Sequence, residues 1–399
     1  MKKLTSLLLA TAMVATLLTG CGSADANTSS ASTTGDAETS TTADAGATFK
    51  IGGIGPITGG AAVYGNAVKN GIQIAIDEIN AAGGINGYQV EYKFEDDEHD
   101  AEKAVNAYNT LKDWNMQALI GTVTSAPCVA VAEKTHGDNV FQLTPSGTSV
   151  PCTQYDNAFR VCFSDPNQGT ASAQYIGQNN LATKVAVIYD SSDVYSSGIY
   201  ETFVAEAKNQ PFEIVAAEAF TADNKTDFTT QIQKAKDADA DLLFLPFYYQ
   251  EATLVLSQCN TLGFAPTFFG CDGLDGILAV ENFDVSLAEG VMLLTPFAAD
   301  AADDATKSFV TKYVEQYGET PNQFAADAYD AAYIVKAAME KEGCTPDMSA
   351  SDICDKLMKA MVEIKVDGLT GESMTWTADG EVNKAPKAVV IKDGVYVAM

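Results

Sequence analysis

The chain of 399 residues carries 53 Asp and Glu against 24 Lys and Arg, a formal net charge of −29, with Arg160 its sole arginine. That balance excludes a nucleic-acid backbone or an anionic membrane surface as the main partner, because both need concentrated cations. A hydrophobic fraction of 46% excludes a wholly disordered chain, and 8 cysteines over this length are too few for a small disulfide scaffold. Length alone suggests two or three domains.

In chain order, Lys2 and Lys3 precede an apolar run from Leu4 to Leu18, followed by Thr19-Gly20-Cys21. Residues 1–20 therefore read as a secretory signal, since the run is shorter than the roughly 20 residues that span a bilayer. Leu18-Thr19-Gly20-Cys21 resembles the bacterial lipoprotein signal, which implies lipidation of the Cys21 thiol at a new N-terminus. Residues 21–47 complete this segment as a tether of Ser, Thr, Ala, Gly, Asn and acids, with nothing to bury.

From residue 48 onward, strand and helix patterns alternate. Phe49–Ile54 reads as a strand, and a helix follows on Val68, Ile72, Ile76 and Ile79 until Gly83-Gly84 ends it. Strands at 90–94, 118–120 and 140–143 alternate with helices at 101–114 and 127–136. A second run begins near 168, with strands at 184–189, 212–220, 241–245 and 267–269. Its helices lie at 197–209, 228–236 and 250–262. This rhythm predicts parallel sheets covered by helices, in two Rossmann-like lobes. Helices at 303–317, 323–342 and 350–363 follow, then a polar hairpin-like end turning at Asp379-Gly380 and Asp393-Gly394. That tail is too poor in apolar residues for a third core and returns to complete the two lobes.

Open α/β sheets bind ligands beyond the carboxyl ends of their strands, so the segments after each strand are the candidates. Gly52–Gly60 lacks both the P-loop ending and the third glycine of a dinucleotide fingerprint. It is either a tight turn or a place of close backbone approach, with Tyr64 as an aromatic wall. Gly121-Thr-Val-Thr-Ser125 and Thr144-Pro-Ser146-Gly-Thr148 offer hydroxyls and backbone N–H groups at helix or turn starts, suited to a carboxylate. Local capping explains either loop alone; two after neighbouring strands favour a shared anion site. The second half supplies Tyr195, Tyr248 and Asp272, the last either a turn cap or a partner for a ligand ammonium. Together these groups form a receptor for a zwitterion such as an α-amino acid.

Catalytic patterns gather no comparable support: Gly-x-Ser-x-Gly, His-Glu-x-x-His and Cys-x-x-Cys are all missing. The reading is a non-enzyme with no cofactor and no metal. His99, in Asp96-Asp-Glu-His-Asp100, reads as part of a solvated acidic turn, and His136 as a residue near a helix end.

The motifs Ile51–Gly59, Asp77–Gly87, Ile120–Ser125, Thr144–Thr148, Phe159-Arg160 and Val187–Asp190 resemble those of the branched-chain amino-acid (Leu/Ile/Val) binding proteins of ABC importers. The resemblance covers about residues 48–399 and implies the periplasmic-binding-protein type I fold, an α/β clamshell with a three-stranded hinge crossover. It implies one lobe from 48–168 plus 297–372 and another from 169–296 plus 373–399. By the same resemblance, Ser125, Ser146 and Thr148 hold the α-carboxylate, with Thr148 also assisting the ammonium. Tyr248 and Asp272 face the ligand from the second lobe, while Tyr64, Tyr195 and Phe324 line the cleft or the ligand side chain. Asp272 stands where the Leu/Ile/Val binders carry glutamate, one methylene longer, and Tyr64 where some members have tryptophan. Both changes bear on which amino acid is preferred.

The implied protein is an extracytoplasmic, lipid-anchored monomer that delivers a small neutral amino acid to an ABC permease. The runner-up is a receptor of the same architecture for an amide, urea or aromatic acid, feeding a transporter or a sensor. With Cys21 lipidated, seven cysteines remain, for which Cys344–Cys354 and Cys152–Cys162 are candidate pairs and seven free thiols the alternative. Arg160, just before the first expected crossover, reads as a structural ion pair or hinge residue.

Overall fold

The structure, a computed structural model, describes residues 46–399. The signal, Cys21 and nearly all of the tether therefore lie outside the described residues. The first half runs β1 (Thr48–Gly55), α1 (Ala62–Ala81), β2 (Gln89–Asp96), α2 (Ala101–Asp113), β3 (Ala118–Gly121), α3 (Ser125–Asp138), β4 (Phe141–Thr144) and β5 (Ala158–Arg160). It continues with α4 (Asp165–Gln178), β6 (Lys184–Asp190), α5 (Val194–Ala207), β7 (Glu213–Phe220), α6 (Thr229–Asp237), β8 (Leu242–Leu245), α7 (Tyr249–Thr261), β9 (Thr267–Gly270) and β10 (Met292–Thr295). The last elements are α8 (Asp304–Tyr317), α9 (Gln323–Lys341), α10 (Ala350–Met361), β11 (Lys387–Lys392) and β12 (Val395–Ala398).

Two sheets result. The first has the order β2-β1-β3-β4-β5, all parallel, and the second β12-β11-β10-β9-β8-β6-β7, parallel from β10 to β7, with β11 antiparallel to both β10 and β12. Strands covered on both faces need continuous apolar runs rather than alternation. Ala118–Gly121 and Leu242–Leu245 are such runs, buried throughout. On α1, the predicted stripe of Val68, Ile72, Ile76 and Ile79 is buried, and α9 packs along the helix. Gly84 stops the turn after it at φ +82°, where a Cβ would come within 1.9 Å of the Tyr88 carbonyl oxygen. Side-chain caps start α2, α5, α8, α9 and α10 at Asp100, Asp193, Asp303, Asn322 and Ser349.

Two strands escape a hydropathy reading. β5 has only 3 residues, and β10 is a 4-residue run hidden behind a string of short 3-10 turns. β10 nevertheless joins the parallel strands to the terminal hairpin, pairing with β9 on one side and β11 on the other.

The chain passes between the sheets at 161–164, 296–303 and 362–386. Arg160 anchors the first passage. Its fully buried guanidinium donates to the carbonyls of Gly147 (3.1 Å), Thr148 and Ser149 (3.0 Å), and its Nε lies 3.2 Å from Glu381 Oε1. Trp376 Nε1 donates to the Arg160 carbonyl at 2.8 Å, tying the third passage to the first. Lys384 pins that third passage to α9 through a buried ion pair with Asp327 at 2.8 Å. The seven cysteines among the described residues are buried free thiols, so neither candidate pairing forms.

Candidate functional site

Each half of the fold contributes one wall to a small cavity. On the first sheet, the loop after β3 leads into α3, whose opening amides at Ser125 and Ala126 have no intrahelical acceptor. The loop after β4 lies against it. Thr144 Oγ1 donates to Thr122 O (2.6 Å), Ser146 Oγ to Val123 O (2.7 Å), and Ser149 N to Ser125 Oγ (3.2 Å). Ser125 Oγ and Thr148 Oγ1 sit 3.5 Å apart. The two predicted loops are thus laced into one rigid, donor-rich surface, reinforced from behind by Arg160.

The second sheet presents Asp272, just past β9. Its Oδ1 accepts from the Tyr195 hydroxyl at 2.6 Å, and that same hydroxyl accepts from Gly273 N at 2.9 Å. Gln168 Oε1 accepts from Asp272 N (3.1 Å), and Gln323 Nε2 donates to Asp272 O (3.0 Å). Burial raises the pKa of Asp272 to about 7, even though the Tyr195 bond favours the ionised form. A carboxyl poised this way ionises readily when a cation arrives beside it.

Aromatic rings finish the enclosure. Tyr195 and Tyr248 stack with centroids 4.8 Å apart, and Tyr64 lies 4.3 Å from Phe324. Tyr64 also donates to the Gly273 carbonyl and accepts from Tyr249 N, so it bridges the two walls. Tyr64, Ser125, Ser146, Thr148, Tyr195, Tyr248, Asp272 and Phe324 all line this one cavity, together with Val123, Thr124 and Gly273. The cavity measures about 10 Å³, room for about one water. A molecule larger than a water enters only if the walls separate.

The surroundings depart from the sequence reading at two places. Gly52, Gly53 and Gly55 lie inside β1, where a Cβ would collide with Met116, Phe94 and Val123 respectively. They permit close packing of side chains and leave the wall to Tyr64. His99 does sit in a turn but is half-buried rather than solvated: its ring meets Tyr248 edge-on at 5.3 Å, and its Nδ1 lies 2.8 Å from Thr124 Oγ1. Burial lowers its pKa to about 4, which keeps it neutral behind the cavity.

Three buried polar residues near the cavity escape motif reasoning: Asp165, Gln168 and Gln323. Each sits in the first turns of a helix that follows a passage or loop, which is the only sequence signal they give. Asp165 N donates to Thr148 O at 2.9 Å, and burial pushes its carboxyl pKa well up beside Asp272. Among the described residues, no cluster of His, Cys, Asp or Glu could hold a metal ion. No helix among them is long and apolar enough to cross a membrane.

With this geometry in view, a family model described as periplasmic binding protein matches residues 48–394. A Leu/Ile/Val-binding protein homolog of Brucella melitensis is 31% identical over 312 residues, covering 76% of this chain and 82% of that protein. The leucine-, isoleucine-, valine-, threonine- and alanine-binding protein of Pseudomonas aeruginosa is 28% identical, covering 74% and 79%. Among solved structures, the branched-chain amino acid transporter substrate-binding protein LivJ of Streptococcus pneumoniae, in complex with isoleucine, superposes with a TM-score of 0.80. It is 30% identical, and the match covers 88% of this chain and 98% of that one.

Proposed function

The chain belongs to the periplasmic binding protein family, and on that premise we propose that it is the extracytoplasmic substrate-binding component of an ABC importer for a branched-chain or related neutral amino acid. The observation that carries this reading is the opposition of Asp272 to the Ser125–Thr148 wall across one cavity. The α-carboxylate meets the hydroxyls and the opening amides of α3, and the ammonium meets Asp272 and the Thr148 hydroxyl. The side chain lies among Tyr64, Tyr195, Tyr248 and Phe324, an apolar, ring-lined space without a charge for a basic or acidic side chain to pair with. Relatives named for leucine, isoleucine and valine support this class of ligand. The lobes, about 48–168 with 297–372 and 169–296 with 373–399, close over the amino acid by bending at the three passages. The closed form then docks on a permease. A lipid on Cys21 and the tether of 21–47 hold the monomer at the outer face of the membrane.

Melting curves recorded with each of the twenty amino acids, a panel of amides and urea, and benzoate test the proposal. A ligand at about a hundredfold excess over its Kd adds about 2.7 kcal/mol of stability, a shift of several degrees. Leucine, isoleucine, valine or a neutral homologue is expected to give the largest shift. Stabilisation by amides or benzoate alone would overturn the amino-acid reading, and turnover of the bound compound would overturn the binding-protein reading.

A further inference from the structure

A second cavity, of about 1080 Å³, lies beside the first. The partition is thin in sequence: Val63 and Asp275 line the larger space, while their near neighbours Tyr64, Asp272 and Gly273 line the smaller one. Its walls come from both halves of the fold. α1, α8 and the 319–322 segment close one side, and the turn after β9, the second passage and the β11–β12 hairpin close the other. Such a volume is that of a site for a small organic molecule.

Its chemistry is one-sided. Among the described residues no lysine, arginine or histidine lines it, whereas Asp275, Asp300 and Glu319 do. Phe297, Tyr313, Tyr317 and Tyr396 supply four rings, whose faces attract cations. Asp275 is the informative member. It is only 5% exposed; its Oδ2 accepts from Gln323 N at 2.9 Å, but its Oδ1 has no hydrogen-bond partner among the described residues. A buried carboxylate oxygen without a partner is costly, and burial accordingly lifts the Asp275 pKa to about 7. A positive charge in the cavity would remove that cost.

We propose that this cavity binds an organic cation, a protonated amine on an apolar body, with the ammonium at Asp275 and the body against the tyrosine rings. Since the walls belong to both halves of the fold, the bound amine bridges them through contacts of its own and needs no amino acid in the neighbouring cleft.

Calorimetric titration of the full chain at about pH 8, where carboxylate and amine are both ionised, tests this with three probes of one shape. These are 4-phenylbutylamine, 4-phenylbutan-1-ol and 4-phenylbutanoate. The amine is expected to bind one to one, the alcohol at least about tenfold more weakly, and the carboxylate not at all. Asp275→Asn should weaken the amine by about tenfold and leave the alcohol unchanged. Ala299→Trp, which fills the cavity from the second passage, should weaken both, so the proposal does not rest on one variant folding. Asp272→Ala should leave amine affinity as it was, which separates this site from the cleft whether or not amino acids bind there. Binding of the carboxylate on a par with the amine, full amine affinity in Asp275→Asn, or loss of amine binding in Asp272→Ala would each overturn the proposal.

Discussion

On the first wall of the cleft, most side-chain polarity is already engaged. Thr144 and Ser146 donate to the backbone of the opposite loop, and Arg160 holds three consecutive carbonyls of the 147–149 segment. The second wall is held in readiness instead. Asp272 keeps a proton affinity near neutrality, and the Tyr248 hydroxyl is buried without a hydrogen-bond partner. A wall whose hydrogen bonds are closed among themselves offers a fixed shape and a few free amides. A wall with an incompletely compensated carboxyl gains most when a ligand supplies the missing charge. Affinity should therefore be sensitive to the second wall and tolerant of single hydroxyl losses on the first.

Removing Asp272 is the most severe way to break this contrast. Under the proposed reading, Asp272→Ala deprives the ligand ammonium of its counter-charge and leaves the Tyr195 hydroxyl without its acceptor. The expected cost is about 3 kcal/mol or more, over a hundredfold in Kd by calorimetry. Asp272→Glu, one methylene longer and the residue the resemblance implies for Leu/Ile/Val binders, should keep most of the affinity while changing the preference among side chains. Equal affinities in wild type and Asp272→Ala would end the asymmetry argument.

Proton linkage sharpens the same contrast without a mutation. Under the proposed reading the ligand ammonium needs Asp272 ionised, so binding should release the proton held by a carboxyl whose pKa is about 7. Affinity should rise with pH by up to about tenfold per unit below that value and level off above it. The unliganded protein behaves in the opposite sense. Burial raises Asp97, Asp193, Asp272 and Asp275 from 3.8 to about 7, 6, 7 and 7. The folded state then binds more protons than the unfolded one, so stability is lost as pH rises from about 4 to 7. Each such acid contributes up to about 1.4 kcal/mol per pH unit. Tm without ligand should be higher at pH 5 than at pH 7.5, and a saturating amino acid should narrow the gap; a Tm rising over that range would refute the buried-acid picture.

How much of this was legible beforehand follows from how local each feature is. β3 and β8 are apolar runs, β1 and β4 are largely buried strands, and the loops after β3 and β4 carry hydroxyls at recognisable spacings. Sequence reasoning could reach them because strand, loop and helix start are contiguous. β5, with 3 residues, is too short to show a period, and β10, an apolar run as long as β8, is hidden behind the 3-10 turns before it; pairing with neighbours defines both. The bond from Tyr195 to Asp272 joins residues 77 apart in sequence, and the engagement of Ser146 with Val123 spans 23. Neither distance leaves a local trace. His99 misled for the same reason: four acids surround it in sequence, but Tyr248, which lies far along the chain, covers one side of its ring.

Thr148→Val probes the first wall at its least satisfied point. Its hydroxyl lies 3.5 Å from Ser125 Oγ and beside the Asp165 carboxyl, and under the proposed reading it serves both charged ends of an amino acid. Losing it should cost about 1.5 kcal/mol, roughly tenfold in Kd, with little change in Tm.

Ser146→Ala should have the smallest effect of the series, although its place in the motif suggests a carboxylate ligand equal to Ser125. Its hydroxyl has one proton, and that proton is committed to Val123 O at 2.7 Å. A carboxylate has no proton to offer in return, so it cannot replace that bond without stranding the Val123 carbonyl. What Ser146 offers an anion is its backbone, which alanine retains. The substitution should therefore alter amino-acid affinity by less than about threefold, while lowering Tm by the loss of one buried hydrogen bond, about 1 kcal/mol. Paired measurement of Kd and Tm separates the two roles. A large loss of affinity with unchanged Tm would mean that the hydroxyl turns toward the ligand, and that the first wall is as unfinished as the second.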